Sequence, residues 1–322
     1  MQLRRLGKTD LWISPVALGC WPIAGMTSLA VNDADSLATL AESLEAGVNF
    51  WDTAYSYGAA GESETLIRRA IGSAREQVVI ATKGGLHWDA ERRQQHDAAP
   101  ATLRRECDES LRRLGMDHVD LYYLHAPDPD VPIEESAGAL RELLDAGKTR
   151  AVGASNCSVA QLEAFESVCP LTAVQPHYNM LQREIEADLL PWCAAREISV
   201  AVYWPLMKGL LAGKLPRDYS FPPGDGRAKY PMFQGDEWRK NQDFVDRLRA
   251  IAGASGYTVA HLVIAWTIEQ PGITTALCGA KRPDQIRETA AAMQIELTDD
   301  QRRSIDEALL ARGPTASRPA VQ

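Results

Sequence analysis

The 322-residue sequence contains no stretch approaching the roughly 18 uninterrupted apolar residues of a membrane-spanning helix. Its opening segment, MQLRRLGKTDLWISP, has charges but not the following run of about 7 to 15 apolar residues that marks a secretory signal. A cytoplasmic protein is expected. Positive charge is scarce: 34 Lys and Arg face 43 Asp and Glu, for a net charge of −9. A broadly basic surface for nucleic acid or an anionic membrane is therefore excluded, and any bound phosphate has to be held by a local cluster. The six cysteines (20, 107, 157, 169, 193 and 278) form no CxxC or other metal spacing, so no metal site is expected. In a chain this long they read as reduced, mostly buried small residues. A GxGxxG element is also missing; the first candidate strand runs into GCWPIAGM, which does not indicate a Rossmann dinucleotide site there.

What is present is ordinary globular composition, 45% hydrophobic and 24% charged, arranged as alternating short apolar runs and amphipathic segments. Eight runs read as strands: 16–19, 48–52, 78–83, 120–125, 149–155, 172–175, 199–203 and 274–279. The clearest helical patterns between them are 35–46, 101–114, 133–146 and 159–168, and Gly47 and Gly147 stand where a left-handed residue would end a helix. Eight strand-helix alternations predict an α/β fold with a parallel sheet closed into a (β/α)8 TIM barrel, an open doubly wound sheet being the rival. The segment around Gly7 to Asp10 predicts an N-terminal β-hairpin across the barrel floor. Residues 1–322 are read as one barrel domain. The long last interval is expected to hold an irregular mouth loop at 207–238, rich in Gly and Pro and carrying Tyr219, Phe221, Tyr230 and Phe233. Helical patterns resume at about 239–253, 258–269, 284–292 and 299–310, two more than a barrel needs, before a loose tail at about 311–322.

Side chains at the C-terminal ends of barrel strands converge on one mouth. Here those ends offer Asp52, Lys83, His125, Ser155 with Asn156, and Gln175. Singly, each has an ordinary reading: a helix N-cap for Asp52, a solvated strand end for Lys83, a satisfied histidine at 125. Jointly they suggest proton transfer to a carbonyl oxygen, because Tyr57 lies five residues beyond Asp52. A phenol of pKa about 10 becomes a useful proton donor near neutrality only if something stabilises its phenolate, and a lysine ammonium aimed by an aspartate would do that.

The motifs DTAYSYG, ATKGG, LYYLHAPD, GASN, VQPHYN, YWPLMKGLLAGK and LCGAKRPDQIRE, in this order over some 300 residues, resemble the signatures of the aldo-keto reductases. The resemblance implies a barrel that binds NADP(H), with NAD(H) also possible, and transfers hydride between it and a carbonyl or alcohol. It implies Tyr57 as general acid and base, Lys83 and Asp52 as its tuning pair and His125 as the group orienting the carbonyl. Ser155, Asn156 and Gln175 would hydrogen-bond the nicotinamide carboxamide, and Tyr203 would stack on its ring. Pro205, Leu206 and Lys208 would follow the cofactor outward. Gly279, Lys281, Gln285 and Glu288 would surround the adenosine end, with Lys281 near a 2′-phosphate. Trp204, Met207 with Lys208, Cys278 and Thr289 depart from the commoner pattern, which bears on the pyrophosphate segment and on NADP against NAD. Trp21, Tyr55 and Trp88 are candidates to line the mouth around a small aldehyde, ketone or sugar. A cofactor-binding accessory or redox-sensor role is the alternative from another class, and a barrel hydrolase or lyase is disfavoured because it leaves the Tyr57 and Lys83 pairing unexplained.

Overall fold

All eight apolar runs form strands, and they close on one another. In the computed structural model, which describes residues 2–25 and 29–315, the chain opens with a hairpin of β1 (Arg4–Arg5) and β2 (Trp12–Ile13). The barrel strands are β3 (Val16–Gly19), β4 (Phe50–Asp52), β5 (Val79–Gly84), β8 (Leu121–Leu124), β9 (Val152–Ser155), β10 (Ala173–Gln175), β11 (Ser199–Tyr203) and β12 (Thr275–Gly279). They pair in parallel in that order, and β12 returns to β3. The (β/α)8 barrel replaces the open-sheet rival.

Two cores hold it together. Inside the barrel, Ala17, Phe50, Ala81, Leu121, Tyr123, Ala173 and Leu277 pack with Leu6, Leu11 and Ile13 of the hairpin, which plugs the floor. Gly153 belongs to this layer for steric reasons: a Cβ there would sit 2.3 Å from Cε1 of Tyr123. The second core lies between the sheet and the surrounding helices, where the other face of each strand meets the apolar stripe of a helix. Both faces of each barrel strand are thus covered, which is why the strands read as continuous apolar runs rather than alternating ones.

The helices are α1 (Asp33–Glu45), α2 (Glu62–Ile71), α3 (Pro100–Leu114), α4 (Ile133–Asp145), α5 (Val159–Glu166), α6 (Leu189–Arg196), α7 (Gly235–Ala254), α8 (Val259–Glu269), α9 (Pro283–Ala291) and α10 (Asp299–Arg312). Eight of them complete βα units; α7 and α10 are the two extra elements and pack against each other. Helix starts follow local chemistry. Ser158, Thr258 and Thr298 each form a reciprocal capping box, so Ser158 caps α5 and leaves Ser155 and Asn156 free for the mouth. Gly47 and Gly147 take the left-handed conformation expected of them. Among the described residues no single helix is long and apolar enough to cross a membrane.

Two expectations need correction, and a third feature was not expected at all. Residues 207–238 are not wholly irregular: short 3-10 turns form at Met207–Ala212, Gly226–Lys229 and Pro231–Phe233, and α7 begins at Gly235. The tail does not loosen at 311, because buried Arg312 donates to Asn241 and Glu237 of α7, and Thr315 donates to the Leu181 carbonyl. Residues 316–322 of that tail lie outside the described residues. The third is an antiparallel hairpin absent from the sequence reading, β6 (Leu86–Trp88) with β7 (Gln94–His96), which rises directly after β5. Its turn is built by the Asp89 carboxylate, which accepts from the backbone N–H of Glu91 and Arg93.

Candidate active site

The floor plug and the filled barrel leave the polar residues at the strand ends facing one opening. Asp52 ends β4, Lys83 stands one residue before the end of β5, and His125 follows β8. Tyr57 lies in the loop after β4, where its N–H donates to the Ala54 carbonyl. The Lys83 ammonium is fully buried, and each of its three protons has an acceptor. Asp52 Oδ1 stands at 2.5 Å, the Thr53 carbonyl at 2.8 Å and the Tyr57 oxygen at 3.3 Å. Asp52 is anchored in turn by Gln175, whose Nε2 donates to Oδ2 at 2.7 Å.

Burial acts on each group in the direction of its neutral form. It pushes the Asp52 carboxyl up and the Lys83 ammonium down, while their mutual contact opposes both shifts. Burial, with the nearby Asp52 charge, also holds the Tyr57 phenol well above its ordinary value. Tyr57 is therefore protonated at neutral pH, and because Lys83 donates into its oxygen, the phenolic proton is directed elsewhere. His125 lies edge-on to Tyr57, with ring centroids 5.9 Å apart, and burial beside Lys83 drives its pKa well below the ordinary value, so the imidazole is neutral. Trp21 packs edge-on against the other side of Tyr57 at 5.0 Å.

The amide and hydroxyl groups expected to face the cofactor form one connected set. Ser155 Oγ donates to the Gln175 carbonyl, Asn156 Nδ2 donates to the His125 carbonyl, and Tyr203 donates its hydroxyl to Asn156 Oδ1 at 2.7 Å. Asn156 has φ of 59°, a left-handed conformation asparagine tolerates; Trp204, directly after Tyr203, has the same φ, where a bulky side chain is strained. Past Pro205 and Leu206, Met207 and Lys208 are again left-handed, and Lys208 Nζ lies 3.7 Å from the Trp204 ring centroid and 4.5 Å from that of Tyr230. Strain of this kind persists only where the surroundings over-determine it, which occurs most at ligand sites. Pro205 and Leu206 lie within this same strained turn.

At the opposite rim, Gly279 ends β12 beside Gly19 of β3, so two strands meet without side chains. Lys281 donates its backbone N–H to Gln285 and its ammonium to the Leu29 carbonyl, while Glu288 is paired with Lys214. Burial and the neighbouring Arg282 and Arg227 hold the Lys281 pKa down. This is the local cationic patch that the overall charge lacks. The donor and acceptor set at Ser155, Asn156 and Gln175 fits a planar carboxamide, and the cations at 208 and 281 fit phosphate, so the residues present suit a nicotinamide dinucleotide.

Of the three mouth-lining candidates, the structure places two near the tetrad and one elsewhere. Trp88 donates its indole N–H to the carbonyl of Ser56, next to Tyr57. Tyr55 instead reaches α3: its hydroxyl donates to Glu109 and its ring lies under Arg113, 4.2 Å from the guanidinium carbon. Neighbours that the sequence reading passed over are Cys20, whose buried thiol is pushed up by burial and by Asp52, and His96 on β7.

A sequence profile described as the Aldo/keto reductase family matches residues 15–310. The chain belongs to the aldo/keto reductase family. It is 36% identical over 309 residues, 95% of this chain and 93% of the relative, to the aldo-keto reductase YhdN of Bacillus subtilis. To the NADH-specific methylglyoxal reductase of Escherichia coli it is 35% identical over 310 residues, covering 91% of this chain and 94% of that protein. Among solved structures it superposes on the glycerol dehydrogenase AKR11B4 from Gluconobacter oxydans with a TM-score of 0.90 and 35% identity, over 100% of this chain and 99% of that one. This aldo/keto reductase is thus an NAD(P)-dependent oxidoreductase that reduces carbonyl compounds with NADP(H) or NAD(H).

Proposed function

We propose that this aldo/keto reductase interconverts a small aldehyde, ketone or sugar with its alcohol, with Tyr57 exchanging the proton. The observation that carries this reading is the Lys83 ammonium in contact with both Asp52 and the Tyr57 oxygen inside a buried pocket. In reduction the Tyr57 hydroxyl donates to the carbonyl oxygen, and the phenolate left behind is stabilised by Lys83, which Asp52 and the Thr53 carbonyl hold in place. Without that cation, burial alone would make the phenolate inaccessible. Neutral His125 presents a ring nitrogen that orients the substrate oxygen toward Tyr57. Trp21 and Trp88 bound the opening and exclude water from it. Ser155, Asn156, Gln175 and Tyr203 would hold the nicotinamide; Pro205, Leu206, Lys208, Gly279, Lys281, Gln285 and Glu288 would hold the rest of the dinucleotide. The bound cofactor supplies or accepts the hydride. The names of the relatives, a methylglyoxal reductase and a glycerol dehydrogenase, support a substrate of three or so carbons bearing more than one oxygen.

The decisive variant is Tyr57→Phe. General acid catalysis contributes typically about 10² to 10⁴ in rate, so kcat should fall by at least that factor, while NADPH affinity measured by quenching of tryptophan fluorescence stays within a factor of about three. Retained turnover of a good aldehyde would remove Tyr57 from its role.

A further inference from the structure

The hairpin β6–β7 brings a second histidine to the mouth. His96 closes β7 opposite Leu86, the N–H of the adjacent Asp97 donates to the Gly85 carbonyl at 3.1 Å, and the N–H of His125 donates to the Gly84 carbonyl at 2.9 Å. The two imidazoles therefore spring from consecutive rungs above β5. Side chains alternate along a ladder, so His96 shares its face with Leu86 and Trp88, the face on which Trp88 reaches Ser56 beside Tyr57. His87 points the other way and pairs with Glu106.

Two ring nitrogens here are buried yet have no hydrogen-bond partner among the described residues: Nε2 of His96 and Nδ1 of His125. Leaving a buried polar atom unpaired is unfavourable, and two such atoms on neighbouring residues at one mouth mark a place where a ligand atom completes the bonding. Burial, Lys83 and His96 together hold the His125 pKa well below its ordinary value, so that its imidazole can donate from one nitrogen and accept at the other.

We propose that His96 is a specificity-determining residue, which with His125 hydrogen-bonds an oxygen on the carbon next to the reacting carbonyl and so selects α-oxygenated substrates, hydroxyaldehydes and hydroxyketones, over simple ones. The inference rests on the reading of Tyr57 as proton donor to a small carbonyl. A simple aldehyde leaves the His96 nitrogen unpaired, and sites built around a hydrogen bond discriminate strongly against analogues that lack the partner.

The test compares glyceraldehyde with propanal, equal in chain length and differing in hydroxyl groups, using NADPH with wild type, His96→Leu and His96→Gln. Loss of one neutral hydrogen bond corresponds to about tenfold. The expected result is that His96→Leu loses at least tenfold more kcat/KM on glyceraldehyde than on propanal, chiefly through KM, and that His96→Gln, which retains a polar group, recovers part of the difference. Equal losses on both substrates, or no loss on either, would overturn the assignment. Propanal reduction that stays dependent on Tyr57 while the His96 variants show no selectivity would leave the proposed function standing and sink only this inference; loss of Tyr57 dependence would sink the reading beneath it.

Discussion

Lys83 shows how much one side chain depends on its three acceptors, since an ammonium with no exposed surface is tolerable only when every proton is engaged. Lys281 is the contrasting case. It sits on the rim, its ammonium resting on the Leu29 carbonyl, a weak partner compared with phosphate. A 2′-phosphate would replace that neutral acceptor with a charged one, and such charge-assisted bonds contribute roughly 1.5 to 3 kcal/mol. Lys281→Ala should therefore weaken NADPH by about 10 to 150-fold and NADH by much less, as read by fluorescence titration of both cofactors. Equal weakening would mean that Lys281 supports the fold of the rim rather than the phosphate. Gln285 and Glu288 beside it are engaged within the protein, by the Lys281 N–H and by Lys214.

At the level of elements, the mouth segment repays attention because its aromatics are not waiting for a ligand. Tyr219, Phe221, Phe233 and Trp238 form a chain of ring contacts between 5.0 and 6.0 Å, Met232 and Phe233 are buried, and Arg217 is paired with Asp243 and Asp246 of α7. An apolar cluster anchored in this way has no need to close over a dinucleotide, so the segment is not expected to move as a whole. What remains movable is the turn carrying Lys208 and the short helix carrying Arg227, which donates to the Lys208 carbonyl. Hydrogen exchange should show residues 231–238 protected without cofactor, and protection rising on NADPH binding only around 207–213 and 225–229. A uniform rise across the segment would mean that the whole of 207–238 closes over the cofactor. The strands were legible in the sequence because each is buried on both faces and reads as an unbroken apolar run. Helices α2 and α6 were harder: α2 starts at a left-handed Gly61 with no side-chain cap, and α6 is short and contains Pro191. Hairpin β6–β7 was missed because each strand is only three residues long and QQH has no apolar residue to set against LHW; only the spacing of Asp89 before Glu91 and Arg93 hinted at a turn. Asp52, Lys83 and His125 were readable from strand ends and Tyr57 from its place five residues beyond Asp52, whereas His96 and the outward turn of Tyr55 depend on how that hairpin and loop fold, which no local pattern specifies.

For the whole molecule, stability against pH is governed by opposing sets of acids. Surface carboxylates such as Asp89, Asp225 and Asp246 are held low by arginine partners, so their contribution is present above the ordinary carboxylate range and is lost as pH falls. Glu106 acts in the other direction. It is buried beneath β5 and β6, accepting from the Gly85 N–H at 2.7 Å and facing His87 at 3.0 Å, and burial outweighs these contacts and pushes it from 4.5 up to about 8. Between those values the folded protein keeps a proton that the unfolded chain releases, so this group's contribution is complete below about 4.5 and is lost as pH rises through about 8. Glu106→Gln isolates the effect, since the amide is neutral at every pH yet can still accept from Gly85 and donate to His87. Measured by urea unfolding at a series of pH values from about 5 to about 8.5, the wild type should lose stability relative to the variant as pH rises, the gap widening with each step. If the two curves run parallel, Glu106 is ionised in the folded protein throughout, held as a carboxylate by the Gly85 amide and its contact with His87, and burial is then the weaker of the two influences on it.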